Sequence, residues 1–387
     1  MGREERKELI KKIEELRKSR MLIYFCGDRP IVSAQIHDDA IRPMYEHLKN
    51  LGEFLEKPRK LDLYLYSRGG LMETPWKIIT MLREFCDELH VIIPYKAYSA
   101  ATMIAIGADK IWMTDKSELS PIDPALQLQK VPERPDFLLP EIGVEDVASY
   151  ITFIRQRAGL TDQAALAGVV ETLAKYLTPP LLGRIERTYN HIRLVARKLL
   201  ALCKPPMEDT RVTAIVEALT EKTFVHGHGI GRKEAKQIGL QVEDLNDEPA
   251  KLAWALFQEY EKTLKLNTSA DPCACFSETA PDFYIEQDTQ TACIESNELF
   301  HAFVGNLRLQ RIRRIPPQPI ININLAVNLP ANLKPEQLPK EVQQAIQQFL
   351  QGIAQQLKPM VEQEIAKQSP IQGFEGRLEG GQWKQMA

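Results

Sequence analysis

The sequence lacks the long apolar segments of a membrane-spanning or secreted protein. No run within its 387 residues approaches about 18 consecutive apolar residues, the length that a spanning helix needs. The N-terminal residues MGREERKELIKK are charged where a signal peptide has an apolar core, and Arg6 stands where a myristoylation motif needs Ser or Thr. The sequence therefore predicts a soluble, cytoplasmic protein with no integral membrane segment.

Cysteine is scarce, and neither sign of charge dominates. Scattered cysteines without a secretory signal indicate reduced thiols. Cys273 and Cys275 form only a weak metal-binding signal, ordinary thiols are the preferred interpretation, and no metal site is predicted. With 49 Lys and Arg against 52 Asp and Glu, the chain has no basic excess to neutralise phosphates, so nucleic acid is not expected as a partner. The cysteines are Cys26, Cys86, Cys203, Cys273, Cys275 and Cys293.

Strand-like and helix-like segments alternate in the first third of the chain. This alternation predicts parallel strands joined by right-handed crossover helices, which is an α/β core. An amphipathic helix over 3–19 precedes the core, with Leu9, Ile13 and Leu16 at helical spacing on one face. The predicted strands are 21–25, 61–66, 91–93 and 110–113, and the helices between them lie near 36–55, around Trp76 to Phe85, and over 100–108.

The composition changes twice after this core. From about 143 the periodicity is helical, with the segments 143–157, 161–177, 181–203 and 209–222. Beyond about 266 the chain becomes rich in turn residues and proline. We accordingly predict an N-terminal amphipathic helix (1–20), an α/β domain (21–265), a proline-rich linker or accessory segment (266–335), and a C-terminal amphipathic helix with a flexible tail (336–387).

A glycine turn, Ser67-Arg68-Gly69-Gly70, follows the second predicted strand directly. Adjacent glycines let the backbone approach a ligand closely and present N–H groups to a phosphate or an oxyanion. The alternative is a tight strand-to-helix turn with no ligand. Neither nucleotide-binding pattern is present, because no Gly-Lys-Ser/Thr follows and the G-x-G-x-x-G spacing is missing.

Ser99 lies where the third strand turns into a helix of small residues that begins near Ala100. The unsatisfied N–H groups and the dipole at a helix N-terminus favour a developing negative charge, which suits a nucleophile. A simple N-cap is the alternative. The lipase-type elbow G-x-S-x-G is missing, since Ala97 and Ala101 occupy the glycine positions.

Asp123 and His226 supply the other groups that a hydrolytic serine needs, an acid and a base. Pro121 and Pro124 flank Asp123 and give its loop a defined extended path, although a proline turn with a solvated carboxylate is equally compatible. His226 and His228 share a glycine-flanked loop, and either can be the base. The pair could instead bind a metal, but no third ligand lies nearby in sequence.

These motifs resemble the serine-peptidase branch of the Clp-protease/crotonase superfamily. The resemblance rests on SRGG, on AYSAATMIAIGADKIWMTDKSELSPIDP and on the later RKEAKQIGL, and it is strongest over 61–126 and 221–240. The serine dehydrogenase proteinases, relatives of signal peptide peptidase A, are the most similar family. The resemblance implies a Clp/crotonase-like fold with a helical insertion and a C-terminal extension, no cofactor, and homo-oligomers. Two departures are Arg68, where the superfamily has Pro, and the glycine-rich histidine loop.

The same resemblance implies a serine endopeptidase that hydrolyses peptide bonds in peptide or protein substrates. Ser99 is then the nucleophile, Asp123 the acid and His226 the base, with N–H groups of Gly69, Gly70 and Ala100 as oxyanion donors. Three alternatives stay open: a Ser–Lys dyad that uses Lys130, a non-catalytic scaffold with the same fold, and crotonase-like thioester chemistry. Whether the enzyme needs activation is also open.

Overall fold

The chain divides into two units in the computed structural model. The first unit comprises Met1–Ser269, Asp288–Gly305 and Gly380–Ala387, and the second comprises Ala270–Gln287 and Asn306–Glu379. The structure describes residues 2–52, 59–123, 125–127, 141–220, 228–268, 276, 283–314 and 338–386.

Helices account for much of the described chain. None of those in the described ranges is both long and apolar enough to cross a membrane. They are α1 (Arg3–Arg17), α2 (Ile41–Gly52), α3 (Thr74–Phe85), α4 (Ala100–Ile106), α5 (Val144–Thr152), α6 (Gln163–Ala174), α7 (Pro179–Leu200), α8 (Asp209–Thr220), α9 (Arg232–Ile238), α10 (Asp247–Thr263) and α11 (Lys340–Gln368), with a 3₁₀ turn at Asp38–Ala40 and a π-helical turn at Phe153–Arg157.

The strands alternate with these helices in the first unit. They are β1 (Arg20–Cys26), β2 (Asp28–Arg29), β3 (Val32–Ser33), β4 (Lys60–Tyr66), β5 (Glu88–Ile93), β6 (Lys96–Ala97), β7 (Lys110–Met113), β8 (Glu118–Leu119), β9 (Ala125–Gln127), β10 (Glu141–Gly143), β11 (Ile230–Gly231), β12 (Val242–Asp244), β13 (Phe283–Glu295), β14 (Phe300–Arg313) and β15 (Ile371–Gln385).

A mixed sheet with five parallel strands is the centre of the first unit. Its strand order is β12-β7-β5-β4-β1-β13-β14-β15, and the last three strands contribute their residues 288–295, 300–305 and 380–385 to this unit. The pairs β1–β4, β4–β5, β5–β7 and β7–β12 are all parallel, whereas β13 runs antiparallel to β1. The predicted α/β core is therefore confirmed.

Both faces of the sheet are covered, so its central strands are buried on both sides. In β4, Leu63 and Leu65 point into a core formed with α2, α3 and α4, and Tyr64 and Tyr66 point into a second core formed with α1 and α10. This separation follows from the alternation of side chains along a strand. The cores hold the strand ends in place, including the end from which the Ser67–Gly70 turn leaves.

Helix α1 packs with part of the predicted face. Ile13 is buried together with Ile10, and Leu9 packs against the same core, but Leu16 is 54% exposed. The buried face also carries Arg6, whose Nε lies 2.6 Å from Glu295 Oε2. A pattern of apolar residues cannot indicate such a face, because a charged side chain is buried there together with its partner.

The C-terminal part of the chain contains strands where a linker and a flexible tail were predicted. β13 and β14 lie within the predicted linker, and β15 lies within the predicted tail. In the first unit the Trp383 ring lies 5.5 Å from the Phe303 ring, and the indole N–H donates to Asp39 Oδ1 at 3.2 Å. These contacts hold Trp383 in place, although the glycine-rich composition of the tail predicted no ordered structure.

The second unit contains α11 and the outer parts of the long strands. The Phe276 ring stacks on Phe374 at 5.7 Å, and the Arg311 guanidinium lies 4.6 Å from the centre of the Phe276 ring. The predicted C-terminal amphipathic helix is present as α11, and Phe349 on that helix is 66% exposed.

Candidate active site

Ser99 occupies a strained backbone position at the junction between β6 and α4. Its φ is 51° and its ψ is −112°, and such conformations cost a non-glycine residue about 1–3 kcal/mol unless the surroundings enforce them. The side chain does not cap α4; the hydroxyl instead donates towards Met72 Sδ at 3.5 Å. The simple N-cap interpretation therefore does not account for this serine.

The glycine turn packs directly against Ser99. Gly69 has a φ of +118°, and a Cβ there would lie 3.0 Å from the Ser99 Cβ and 3.2 Å from the Tyr98 carbonyl oxygen. On its other side the turn is hydrogen-bonded to Ile36, whose N–H donates to the Gly69 oxygen at 2.8 Å and whose oxygen accepts the Leu71 N–H at 2.9 Å. The sequence SRGG thus brings bare backbone up to the Ser99 side chain.

The predicted oxyanion donors differ in how they are engaged. The Gly69 N–H already donates to Ser67 Oγ at 3.0 Å. Among the described residues, no acceptor is found for the N–H of Gly70 or for that of Ala100 at the start of α4. Gly70 and Ala100 are therefore the better candidates for binding an oxyanion.

The Ser120–Asp123 segment lies beside Ser99. The Ser99 N–H donates to Ser120 Oγ at 2.8 Å, and Ser120 is itself buried. The Ile122 N–H donates to the Leu219 oxygen at the end of α8 at 2.8 Å. Asp123 follows directly and is half-buried. The structure thus brings the nucleophile candidate and the segment of the acid candidate together.

Of the two histidine candidates, only His228 lies within the described residues. His226 lies in 221–227, outside the described residues, as does Lys130 in 128–140. His228 is described: its Nε2 lies 3.0 Å from Glu234 Oε1, and both side chains are 43% exposed. Just beyond it, Ile230 pairs with Leu119 in the antiparallel β8–β11 ladder.

Arg68 and Glu118 are charged side chains near Tyr98, the residue before Ser99. Arg68 is exposed. The Tyr98 hydroxyl donates to Glu118, and burial together with that carboxylate raises the pKa of Tyr98. Cys26 lies close to Ser67, and burial raises the pKa of its thiol to about 12, so it stays protonated and is a poor nucleophile.

Sequence reasoning missed three residues that hold the Ser99 surroundings together: Ile36, Met72 and Ser120. Ser120 belongs to the SPIDP motif, in which the sequence predicted roles only for the prolines and Asp123. Its role depends on a contact across 21 positions, which no local pattern encodes. Ile36 and Met72 look like ordinary apolar residues in the sequence.

Comparison with known proteins finds a family that matches the N-terminal part of the chain. Residues 3–136 match the family of ClpP-like SDH-type serine proteinases. This match confirms the predicted resemblance. The matched segment includes the glycine turn, Ser99 and Asp123.

Two curated relatives are uncharacterised proteins of Methanocaldococcus jannaschii. MJ0137 is 27% identical over 188 residues, which cover 48% of this chain and 54% of the relative. MJ1495 is 22% identical over 183 residues, which cover 47% of this chain and 51% of the relative. The alignments thus span about half the length of either relative.

Among solved structures, the chain is similar to two proteases. The 1510-N membrane-bound stomatin-specific protease has a TM-score of 0.33 and 15% identity, covering 56% of this chain and 77% of that protein. ClpP1 from Listeria monocytogenes has a TM-score of 0.33 and 12% identity, covering 61% of this chain and 96% of that protein.

Proposed function

We propose that the protein is a serine endopeptidase that uses Ser99, His226 and Asp123 as its catalytic triad. The observation that carries the proposal is the strained Ser99 at the start of α4, packed against the Gly69 backbone, within a segment that matches a serine proteinase family. A strained serine at a helix N-terminus is the geometry of an exposed nucleophile beside N–H donors.

The oxyanion site is formed by the N–H groups of Gly70 and Ala100 in this proposal. The Gly69 N–H serves the turn itself, since it donates to Ser67 Oγ. Loss of one oxyanion donor typically costs about 2.7–4 kcal/mol of transition-state stabilisation. Because the donors are main-chain groups, their positions depend on the geometry of the turn. The hydrogen bonds of Ile36 to Gly69 and Leu71 fix that geometry.

His226 is the general base, and the ends of its segment support this choice. Before it, α8 ends where Leu219 accepts the Ile122 N–H; after it, Ile230 pairs with Leu119. Leu219 and Ile230, on either side of His226 in the sequence, therefore both contact the segment that leads into Asp123. Ile230 comes four positions after His226 in the sequence, and four residues span at most about 14 Å. His228 is the weaker candidate because Glu234 engages its Nε2.

The reaction then follows the steps of a serine protease. The Ser99 hydroxyl leaves Met72, passes its proton to His226 and bonds to the peptide carbonyl carbon, while Asp123 orients the imidazole. His226 returns the proton to the leaving amine as the C–N bond breaks. Water, deprotonated by the same imidazole, then bonds to the acyl carbon; the bond to Ser99 Oγ breaks, and the imidazole returns the proton to Ser99, so that proton and bond changes balance without a cofactor. Peptide or protein substrates, cytoplasmic location and homo-oligomers belong to the same proposal.

Digestion of an unfolded protein substrate tests the activity. The purified protein is incubated with casein, and the peptides released are identified by mass spectrometry. We expect cleavage by the parent, and none above background by Ser99→Ala or His226→Ala, with His228→Ala and Lys130→Ala retaining activity. Loss on Lys130→Ala with retention by His226→Ala would replace the triad by a Ser–Lys dyad. An active Ser99→Ala protein would contradict the proposal.

A further inference from the structure

Ser120 makes a hydrogen bond that bears directly on the nucleophile. Its Oγ accepts the Ser99 N–H at 2.8 Å and donates to the Pro121 carbonyl at 2.9 Å. The side chain is buried, since Ser120 is 2% exposed. A buried hydroxyl in this place has a fixed orientation, because both of its hydrogen-bonding roles are occupied.

Thr102 holds Ser120 in turn. Thr102 Oγ1 accepts the Ser120 N–H at 3.2 Å. It also lies 3.0 Å from the Ser120 carbonyl oxygen and 2.8 Å from the Ala97 carbonyl oxygen. Thr102 belongs to α4, the helix that begins just after Ser99, and is fully buried. The hydroxyl of Ser120 is therefore carried on a backbone that is fixed to the same helix.

The Ser99 backbone needs such support. Its φ of 51° and ψ of −112° persist only where the surroundings enforce them. The bond from the Ser99 N–H fixes the peptide plane before the nucleophile. That plane and the following Ala100 N–H together determine whether the Ser99 hydroxyl and the oxyanion donor face the same point.

We propose that Ser120 is a positioning residue for Ser99. Its hydroxyl holds the strained Ser99 peptide, and so aligns Ser99 Oγ with the Ala100 N–H. The bond also links Ser99 to the segment that carries Asp123. This inference rests on the proposed peptidase function, although the structural part of it can be tested separately.

Ser117 provides a matched control in the same segment. It is 2% exposed, its Oγ accepts the Thr114 N–H at 2.7 Å, and it donates to the Ile93 oxygen. A further contact joins Ser117 Oγ to Thr114 Oγ1 at 2.9 Å. Ser117→Ala thus removes a buried, hydrogen-bonded hydroxyl, but one with no hydrogen bond to Ser99. Ser120→Thr retains a hydroxyl at the tested position.

The experiment measures the rate at which a fluorophosphonate labels Ser99, together with kcat, KM and Tm, for the parent and these variants. We expect Ser120→Ala to lower the labelling rate and kcat about tenfold, as one lost hydrogen bond allows, with KM within about twofold. Ser117→Ala should lower Tm similarly but label within about twofold of the parent, and Ser120→Thr should regain most of the rate. Equal labelling of Ser120→Ala and the parent, or an equal loss in Ser117→Ala, would overturn the proposal.

Hydrogen exchange of the Ser99 amide separates this inference from the proposed function. We expect exchange about tenfold faster in Ser120→Ala and unchanged in Ser117→Ala, whether or not the protein is a peptidase. A parent protein that fails to label contradicts the peptidase proposal. Unchanged exchange in a folded Ser120→Ala protein contradicts the positioning role.

Discussion

Gly70 lies so close to Ile36 that a Cβ at this position would be 2.2 Å from the Ile36 carbonyl oxygen. Its φ of +156° is also one that other residues rarely adopt. The approach is needed because Ile36 is hydrogen-bonded to both neighbours of Gly70, Gly69 and Leu71. This contact fixes the position of the turn beside Ser99.

Gly70→Ala should therefore damage the site more than the fold. The backbone must move away from Ile36, which we expect to cost about 1–3 kcal/mol of stability and to lower fluorophosphonate labelling of Ser99 at least about tenfold. Gly168→Ala is the control, because a Cβ there meets nothing within 4 Å and α6 favours alanine. Denaturant unfolding and labelling rates measure both effects. Labelling at the parental rate by Gly70→Ala would argue against an oxyanion role for the turn.

The buried Arg6–Glu295 pair should contribute strongly to the attachment of α1. Glu295 Oε2 accepts hydrogen bonds from Arg6 Nε and from the Tyr260 hydroxyl, both at 2.6 Å. Arg6→Met leaves the buried carboxylate without its hydrogen-bonded cation, with only Arg3 Nε at 4.0 Å from Oε1, and we expect a loss of about 3–5 kcal/mol in the free energy of unfolding. The pair Lys262–Glu259, whose lysine is exposed, offers the control: Lys262→Met should leave the free energy of unfolding nearly unchanged. Equal effects of the two changes would contradict this account.

A buried chain of polar side chains predicts a pH dependence of stability. His301 Nε2 lies 3.3 Å from Glu46 Oε2, and His301 Nδ1 lies 3.0 Å from His47 Nε2. His47 Nδ1 lies 3.0 Å from the Ser296 hydroxyl. Burial lowers the pKa of both imidazoles.

Burial, then the charges of His301 and Arg3, lower the pKa of His47 from 6.5 to about 3. The unfolded chain therefore takes up a proton near pH 6.5 that the folded protein does not. Above pH 6.5 this histidine leaves the free energy of unfolding unchanged. As the pH falls from 6.5 towards 3, the free energy of unfolding decreases by up to about 1.4 kcal/mol per pH unit.

Denaturant unfolding at a series of pH values measures this effect. His47→Gln should flatten the dependence in that window, whereas His37→Gln, at an exposed position, should leave it unchanged. A His47→Gln protein with the parental slope would show that His47 does not carry the effect.

The parts of the fold that were predictable from sequence are those with a local signal. Strands β1, β4 and β7 and helix α4 follow from apolar runs and small-residue patterns that need no knowledge of distant residues. Pro179 and Pro180 lie between the predicted helices 161–177 and 181–203, and in the structure they begin α7, where proline is favoured.

The parts that were missed depend on distant partners. Arg6 is buried because Glu295 lies opposite it, 289 positions along the chain, and a hydropathy pattern excludes such a residue from a core. β14 does carry an alternating signal, with Phe300, Ala302 and Val304 buried, but the proline-rich surroundings concealed it. At the site, the residue types Ser99, Gly69 and Gly70 were evident from sequence, whereas Ser120 became visible only through its contact.

Intact-protein mass spectrometry after incubation with a fluorophosphonate tests the central claim most directly. Ser99→Ala, His226→Ala and His228→Ala are measured beside the parent, with their folding checked by circular dichroism. We predict a single adduct on the parent that maps to Ser99, none on Ser99→Ala, strongly slowed labelling of His226→Ala and near-parental labelling of His228→Ala. A folded parent protein that forms no adduct, or an adduct on a residue other than Ser99, would contradict the account.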